Sequence, residues 1–128
     1  MNIAVKTIPH AEQRYPTCGD WWFTESGDLE IRVSKMSDWR YECLVAFHEL
    51  CEVLICKQTG VTTQMVDDFD IQYEKDRALG KYTSEQEPGD DPSCPCRVAH
   101  FIATNCERVL SVALGVLWHE YEKEVVNL

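Results

Sequence analysis

LVAFHELCEVLIC, residues Leu44 to Cys56, is apolar at every position except His48, Glu49 and Glu52. Helical spacing puts His48 and Glu52 one turn apart on the same face, with Glu49 beside them. On a helical wheel the directions of His48 and Glu52 fall between those of Leu44, Ile55, Val45 and Cys56. A helix with this pattern is predicted to be largely buried. An ionised carboxylate is costly to bury without a compensating partner. A divalent metal is an economical partner, because imidazole and carboxylate both donate lone pairs to it. The stretch therefore predicts a central helix and, on it, a metal site.

Working outward, Ser37 or Asp38 can cap this helix, which is expected to run from about Trp39 to Lys57, and Gly60 can end it. Upstream, Leu29, Ile31 and Val33 alternate with Glu30, Arg32 and Ser34 after a Ser26-Gly27-Asp28 turn signal. With Trp21-Trp22-Phe23-Thr24 before the turn, this reads as a β-hairpin with one wet face. Ile3 to Ile8 supplies a further short strand before Pro9. Downstream, a second helix follows Thr62 or Thr63, with Met65, Val66, Phe69 and Tyr73 as its apolar stripe. KYTSEQEPGDDPSCPCR, Lys81 to Arg97, is too rich in Pro, Gly and acid to be regular. A third helix starts near Val98 and reaches Leu114, where Gly115 breaks it before a last segment from Leu117 to Val126. The expected fold is α+β: a small antiparallel hairpin or sheet, then three or four packed helices in one domain over 1–128. Residues 1–36 are expected to be mainly β, 37–80 two helices, 81–97 an acidic loop and 98–128 the C-terminal helices.

Composition narrows the partners. The chain has 22 acidic against 12 basic residues, a formal charge of −10. That argues against binding a nucleic-acid backbone or an anionic membrane, and is compatible with cations. MNIAVKTIPHAEQRYP lacks the apolar core of a secretion signal, and no apolar run is long enough to span a bilayer. Seven cysteines, an odd number, without such a signal predict a reducing cytoplasm. Cys43, Cys51, Cys56 and Cys106 lie in helical patterns and read as small core residues.

Four constellations could carry chemistry. His48-Glu49-Leu50-Cys51-Glu52 resembles the HExxH motif of zincin metallopeptidases, with Glu52 where that family has its second His. The resemblance extends over roughly residues 20 to 58, because the LEIRVS strand leads into the motif helix as an edge strand does in zincins. It implies His48 and Glu52 as metal ligands, Glu49 as general base, and a peptide or small-molecule substrate. On the third helix, His100, Thr104, Glu107 and Ser111 fall within about 60° of one another. Ile102, Val109, Leu110 and Leu114 cover the opposite side. Alone this stripe reads as a solvent face; paired with the first helix, His100 or Glu107 supplies the missing ligand.

The third constellation is a set of carboxylates. Glu49 and Glu52, then fourteen residues, then Asp67 and Asp70, give E-x-x-E…D-x-x-D. This is similar to the E-x-x-E…E-x-x-D arrangement of MazG-type nucleoside triphosphate pyrophosphohydrolases. That resemblance implies Mg²⁺ held by Glu49, Glu52, Asp67 and Asp70 against a triphosphate. The fourth is Cys94-Pro95-Cys96…His100, two thiolates and an imidazole suited to zinc. The IPH start, QRYPTCGDWW, the HELCE helix, VDDFD and EPGDDP together also resemble small uncharacterised phage and prophage proteins, which implies a bacterial or phage-infected cytoplasm and no particular activity.

These readings rank as follows. The first is a metal-dependent hydrolase with Zn or another transition metal on His48, Glu52 and His100 or Glu107. The second is a Mg²⁺-dependent pyrophosphohydrolase. The third is a non-enzymatic accessory or interaction protein.

Overall fold

A computed structural model describes all 128 residues. Three strands form one sheet in the order β1-β3-β2: β1 Ile3–Ile8, β2 Gly19–Phe23 and β3 Leu29–Ser34. Helices α1 Trp39–Thr59, α2 Thr63–Ala78, α3 Arg97–Ala113 and α4 Trp118–Val126 follow. The fold is α+β, as the sequence predicts. None of its helices is long and apolar enough to cross a membrane.

The hairpin forms as expected, β2 antiparallel to β3 with Trp21 opposite Ile31. The sheet as a whole is mixed, which corrects the purely antiparallel expectation: β1 runs parallel to β3, with Val5 opposite Ile31. The cause lies in the connection. After β1 a 3-10 turn at His10–Glu12 and the residues that follow carry the chain across the C-terminal end of β3, where Ile8 pairs with Ser34 and Gly19 with Val33, so β1 and β2 flank β3 and only β2 and β3 are joined by a tight turn. Central β3 buries Leu29, Ile31 and Val33 against the helices and turns Glu30 and Arg32 to the wet face. There the guanidinium groups of Arg14 and Arg32 lie over the Trp22 ring, 4.7 and 5.2 Å from its centroid.

Helix α1 is the axis of the molecule. Asp38 caps it by accepting the Arg40 N–H at 2.9 Å, and Gly60 closes it with φ +79°, a conformation that favours glycine. Its side toward the sheet buries Leu44, Val45 and Val53 in one core with Leu29, Ile31 and Val33. Thr62 caps α2 by accepting the Met65 N–H. The acidic connection is less irregular than expected: a 3-10 turn at Pro88–Asp90 buries Gly89 against the helices. Gly115, at φ +65°, ends α3, and α4 begins three residues later at Trp118.

Two expectations about packing are corrected. Cys43 is exposed, so of the four cysteines read as core only Cys56 is fully buried, while Cys51 and Cys106 are half-buried. More consequentially, α3 is inverted. Its polar stripe faces inward, with His100, Glu107 and Ser111 buried, while Phe101, Ile102, Val109 and Val112 face out. The sequence alone suggests the reverse, because amphipathic helices usually bury the apolar side.

Candidate metal centre

The inverted stripe of α3 meets the polar face of α1. Antiparallel packing of the two helices brings His100 opposite Glu52 and Glu107 opposite His48. Three atoms converge. His48 Nε2 is 3.1 Å from His100 Nδ1 and 3.3 Å from Glu52 Oε2, and His100 Nδ1 is 3.2 Å from the same oxygen. All three residues are buried.

Each member is held from behind. His48 Nδ1 is 2.8 Å from Glu107 Oε2, and the Tyr121 hydroxyl donates to the other Glu107 oxygen. His100 Nε2 is 3.1 Å from Glu87 Oε2 and 3.5 Å from Asp90 Oδ1, both carried by the 81–97 connection. The Trp21 indole N–H donates to Glu52 Oε1 at 3.2 Å. These contacts spend the outer nitrogen of each imidazole on a carboxylate and leave the inner nitrogen facing the cluster. Outer carboxylates of this kind fix tautomer and ring orientation in histidine metal sites.

The electrostatics follow from this geometry. Burial opposes a charge on His48, yet the bonds to Glu107 and Glu52 outweigh it and hold its pKa well above the usual histidine range. Burial likewise opposes charge on His100, but Glu52 and Glu87 push it up to about 10. Glu52 is buried too, and its bonds to His100 and His48 bring it down to about 2. Without a metal the two rings therefore carry protons between carboxylates. If both were neutral, with outer N–H groups donating to Glu107 and Glu87, two lone pairs would face each other at 3.1 Å. A proton or a cation must sit between them.

The donor set fits a divalent metal. Tetrahedral ligation with bonds of about 2.0 Å places ligand atoms about 3.3 Å apart. The triangle of His48 Nε2, His100 Nδ1 and Glu52 Oε2 has edges of 3.1 to 3.3 Å. A second group, Glu87, Asp90 and His100, also gathers three ligand atoms, but its two carboxylates are exposed.

The cluster opens onto a cavity of about 440 Å³. Its walls include Glu49 from α1, Asp67, Asp70 and Glu74 from α2, Tyr15, and Asp20 and Trp21 from β2. Glu49 has no basic partner, and burial together with the nearby Glu52 pushes its carboxyl up to about 8. Asp70 accepts from the Tyr15 hydroxyl at 3.2 Å, and burial and Glu52 push it up to about 7. Asp67 is held by Arg14 at 3.0 Å, and the same guanidinium grips Asp20 at 2.7 and 2.8 Å.

The structure thus brings His48, Glu52 and His100 to one point, sets Glu107 on the far side of the His48 ring, and places Glu49 and Asp70 on the adjoining wall. It does not bring Cys94 and Cys96 into this cluster. Their sulfurs lie 2.7 Å from each other, buried, and neither forms a three-ligand group with His100. The proposed Cys94-Cys96-His100 zinc site is corrected on that ground, since His100 is committed to Glu52 and Glu87.

Sequence reasoning missed Glu87, Trp21, Tyr121 and two glycines. A Cβ on Gly19 would strike the Glu49 carboxyl, and one on Gly89 would strike the His100 ring. The available signals were the CGDWW and EPGDDP stretches, each setting a Gly beside an acid. Comparison with family models, with curated proteins and with solved structures gives no match for this chain.

Proposed function

We propose that this protein binds a divalent transition metal through His48, Glu52 and His100 and uses it for metal-assisted hydrolysis. The observation that carries the reading is the ligand triangle, whose edges of 3.1 to 3.3 Å suit tetrahedral bonds and whose outer nitrogens are already occupied. Bound there, the metal would polarise a substrate oxygen and lower the pKa of a bound water. Glu107 and Glu87 orient the two imidazoles, and Trp21 orients Glu52. Glu49, with a raised pKa and no basic partner, is the general base that accepts a proton from the water in the cavity. A volume of about 440 Å³ suits a small molecule or a short peptide segment.

Protein purified without a metal-affinity tag and free of chelator should contain about one equivalent of a first-row metal by elemental analysis. His48→Ala and His100→Ala should not. A metal-free wild type that fails to take up Zn²⁺, Mn²⁺, Co²⁺ or Ni²⁺ on titration would end the reading.

A second reading rests on Glu49 and Asp70 sharing the cavity with Glu52. It is a Mg²⁺-dependent pyrophosphohydrolase that converts nucleoside triphosphates to monophosphates and pyrophosphate. Asp67, the fourth member of that set, is engaged by Arg14, so Glu49, Glu52 and Asp70 would bear the ion. Asp70→Asn should abolish such an activity, and no turnover of the common nucleotides with Mg²⁺ would remove this alternative.

A further inference from the structure

The outward face of α3 is the least expected surface of the molecule. Val98 is 70% exposed, Phe101 68%, Ile102 40%, Val109 73% and Val112 80%. With Asn105, Arg108 and Ala113 they fill one arc of the helix, and no acidic residue interrupts it in a chain that has 22. The Arg108 guanidinium lies over the Trp118 ring, 4.3 Å from its centroid, and so is drawn to the edge of the arc. Half-buried Cys51 of α1 neighbours half-buried Cys106 of α3, both as free thiols, so the apolar surface continues across the seam to Leu54 (44% exposed) and Cys43.

The order of residues on this arc identifies what covers it. α3 has 17 residues, and Asn105 is its central one. Val98 and Val112 each lie seven positions from Asn105, and Phe101 and Val109 each lie four. At these offsets the arc is apolar in both directions, and at offset three Ile102 answers Arg108, whose guanidinium is turned aside onto Trp118. An antiparallel copy of the same helix, related by a two-fold axis at Asn105, would set Val98 against Val112 and Phe101 against Val109 at both ends. The axis would bring the two Asn105 side chains together. An amide has a donor and an acceptor, so two of them can pair reciprocally, and a lone Asn in an apolar seam is a known device for fixing register. In the single chain the Asn105 amide merely donates back to the Phe101 carbonyl at 2.8 Å.

We infer that the chain forms a two-fold homodimer through the outer face of α3, with Asn105 on the axis. Side chains of this size and exposure offer on the order of 100 Å² each, so the arc and the adjoining α1 residues approach the roughly 800 Å² per partner of a stable interface. Patches of this extent on a single chain usually mark an interaction surface. The two-fold sets the same patch of both subunits face to face, and this arc meets its own copy with apolar side chains at offsets four and seven from Asn105. The inward face of the same helix carries His100 and Glu107, so the dimer would brace α3 from its open side.

Sedimentation equilibrium across the micromolar range tests this. Wild type should sediment at twice 14.8 kDa. Val109→Glu, exposed in the single chain and outside the metal cluster, should sediment as a monomer with unchanged circular dichroism and metal content. Asn105→Cys in a Cys43→Ser background should then form a covalent dimer on mild oxidation. Val98→Cys should not, because two copies of that position would lie about 21 Å apart along an antiparallel pair, beyond disulfide reach. A monomeric wild type, which would leave the face to some other partner, overturns the proposal. So does a dimer that survives Val109→Glu, or a cross-link at Val98→Cys, which would mean parallel pairing.

Discussion

Helix α1 separates two buried regions built on opposite principles. Toward the sheet it packs Leu44 and Val53 against Leu29, Ile31 and Val33, with no ionisable group among them. Toward α3 it packs His48 and Glu52 against His100 and Glu107, with Glu87 closing the far side of His100. The first region gains free energy from each methylene removed from water. The second loses it for every charge removed from water and recovers it only through matched partners. One helix serves both because His48 and Glu52 interrupt its buried arc, their directions falling between those of Leu44 and Val45. Apolar contacts and the charged cluster therefore occupy neighbouring positions on a single element, and variants at the two kinds of position should behave differently.

The largest effects belong to the charged side. His48→Ala strands Glu52 and Glu107 without their imidazole, and breaking a buried pair by removing one partner costs about 3–5 kcal/mol. On the proposed reading it also removes the metal. Chemical denaturation and elemental analysis of the same sample report both losses. Leu44→Ala on the sheet side should cost about 2–5 kcal/mol, as a cavity in a fully buried core does, yet keep full metal content in the folded fraction. Should Leu44→Ala lose metal as readily as His48→Ala, the two sides are not separable.

A pH series sharpens the same contrast. In metal-free protein Glu52, held at about 2, contributes stability that is present above its unfolded value and lost as pH falls toward 2. His100, held at about 10, contributes stability that is full below about 6.5 and lost as pH rises toward 10. Glu49 and Asp70, pushed up to about 8 and about 7, bind more protons folded than unfolded, so they too lower stability as pH rises through those values. Metal-free protein should therefore be most stable near pH 5 and weaken steadily toward pH 10. Metal uptake must expel the ring protons, so affinity should rise over the same range. Denaturation midpoints with and without metal, measured from pH 5 to 9, should diverge. Parallel curves would mean that no ion replaces the protons.

Gly89→Ala addresses the wall behind His100. Its Cβ would strike the ring, so either the ring leaves its place beside Glu52 or the turn gives way. Misplacing an oriented ligand typically lowers metal affinity about 10–100-fold. Competition with a chromogenic chelator reads that change, and an unaltered affinity would show that the turn yields and the ring does not.

How much of this was legible in the sequence depends on distance along the chain. The apolar period around His48 and Glu52 predicts the central helix and the burial of both side chains on one face, because helical geometry relates residues four apart. The convergence of His100 was anticipated, since a metal needs a third ligand and α3 offered one. What was not legible was which way α3 faces. Its strong apolar side suggested burial, yet the requirement to partner His48 and Glu52 turned its polar side inward. Only the tertiary arrangement decides between those demands. Glu87 and Tyr121 were invisible for the same reason: neither shares a helical turn with the residue it holds. The parallel pairing of β1 was likewise set by a connection with no turn signature of its own.

The smallest expected change in structure accompanies a large expected change in rate, and it concerns Glu49. This residue sits one position beyond His48 and lines the cavity instead of joining the ligand triangle. Its carboxyl has no basic partner whose loss would leave a buried charge. Gln keeps the size and an acceptor oxygen while removing the titration. Glu49→Gln should therefore leave metal content unchanged. Relative to wild type, stability should be nearly level at pH 5, improve progressively as pH rises to about 8 and stay constant above that, because a carboxylate pushed up to about 8 resists an ionisation that is free in the unfolded chain. If Glu49 is the general base, turnover of any substrate found should fall by about 10²–10⁴-fold. Loss of metal in Glu49→Gln would instead assign Glu49 to the ion, and shift the weight to the carboxylate set it shares with Glu52 and Asp70.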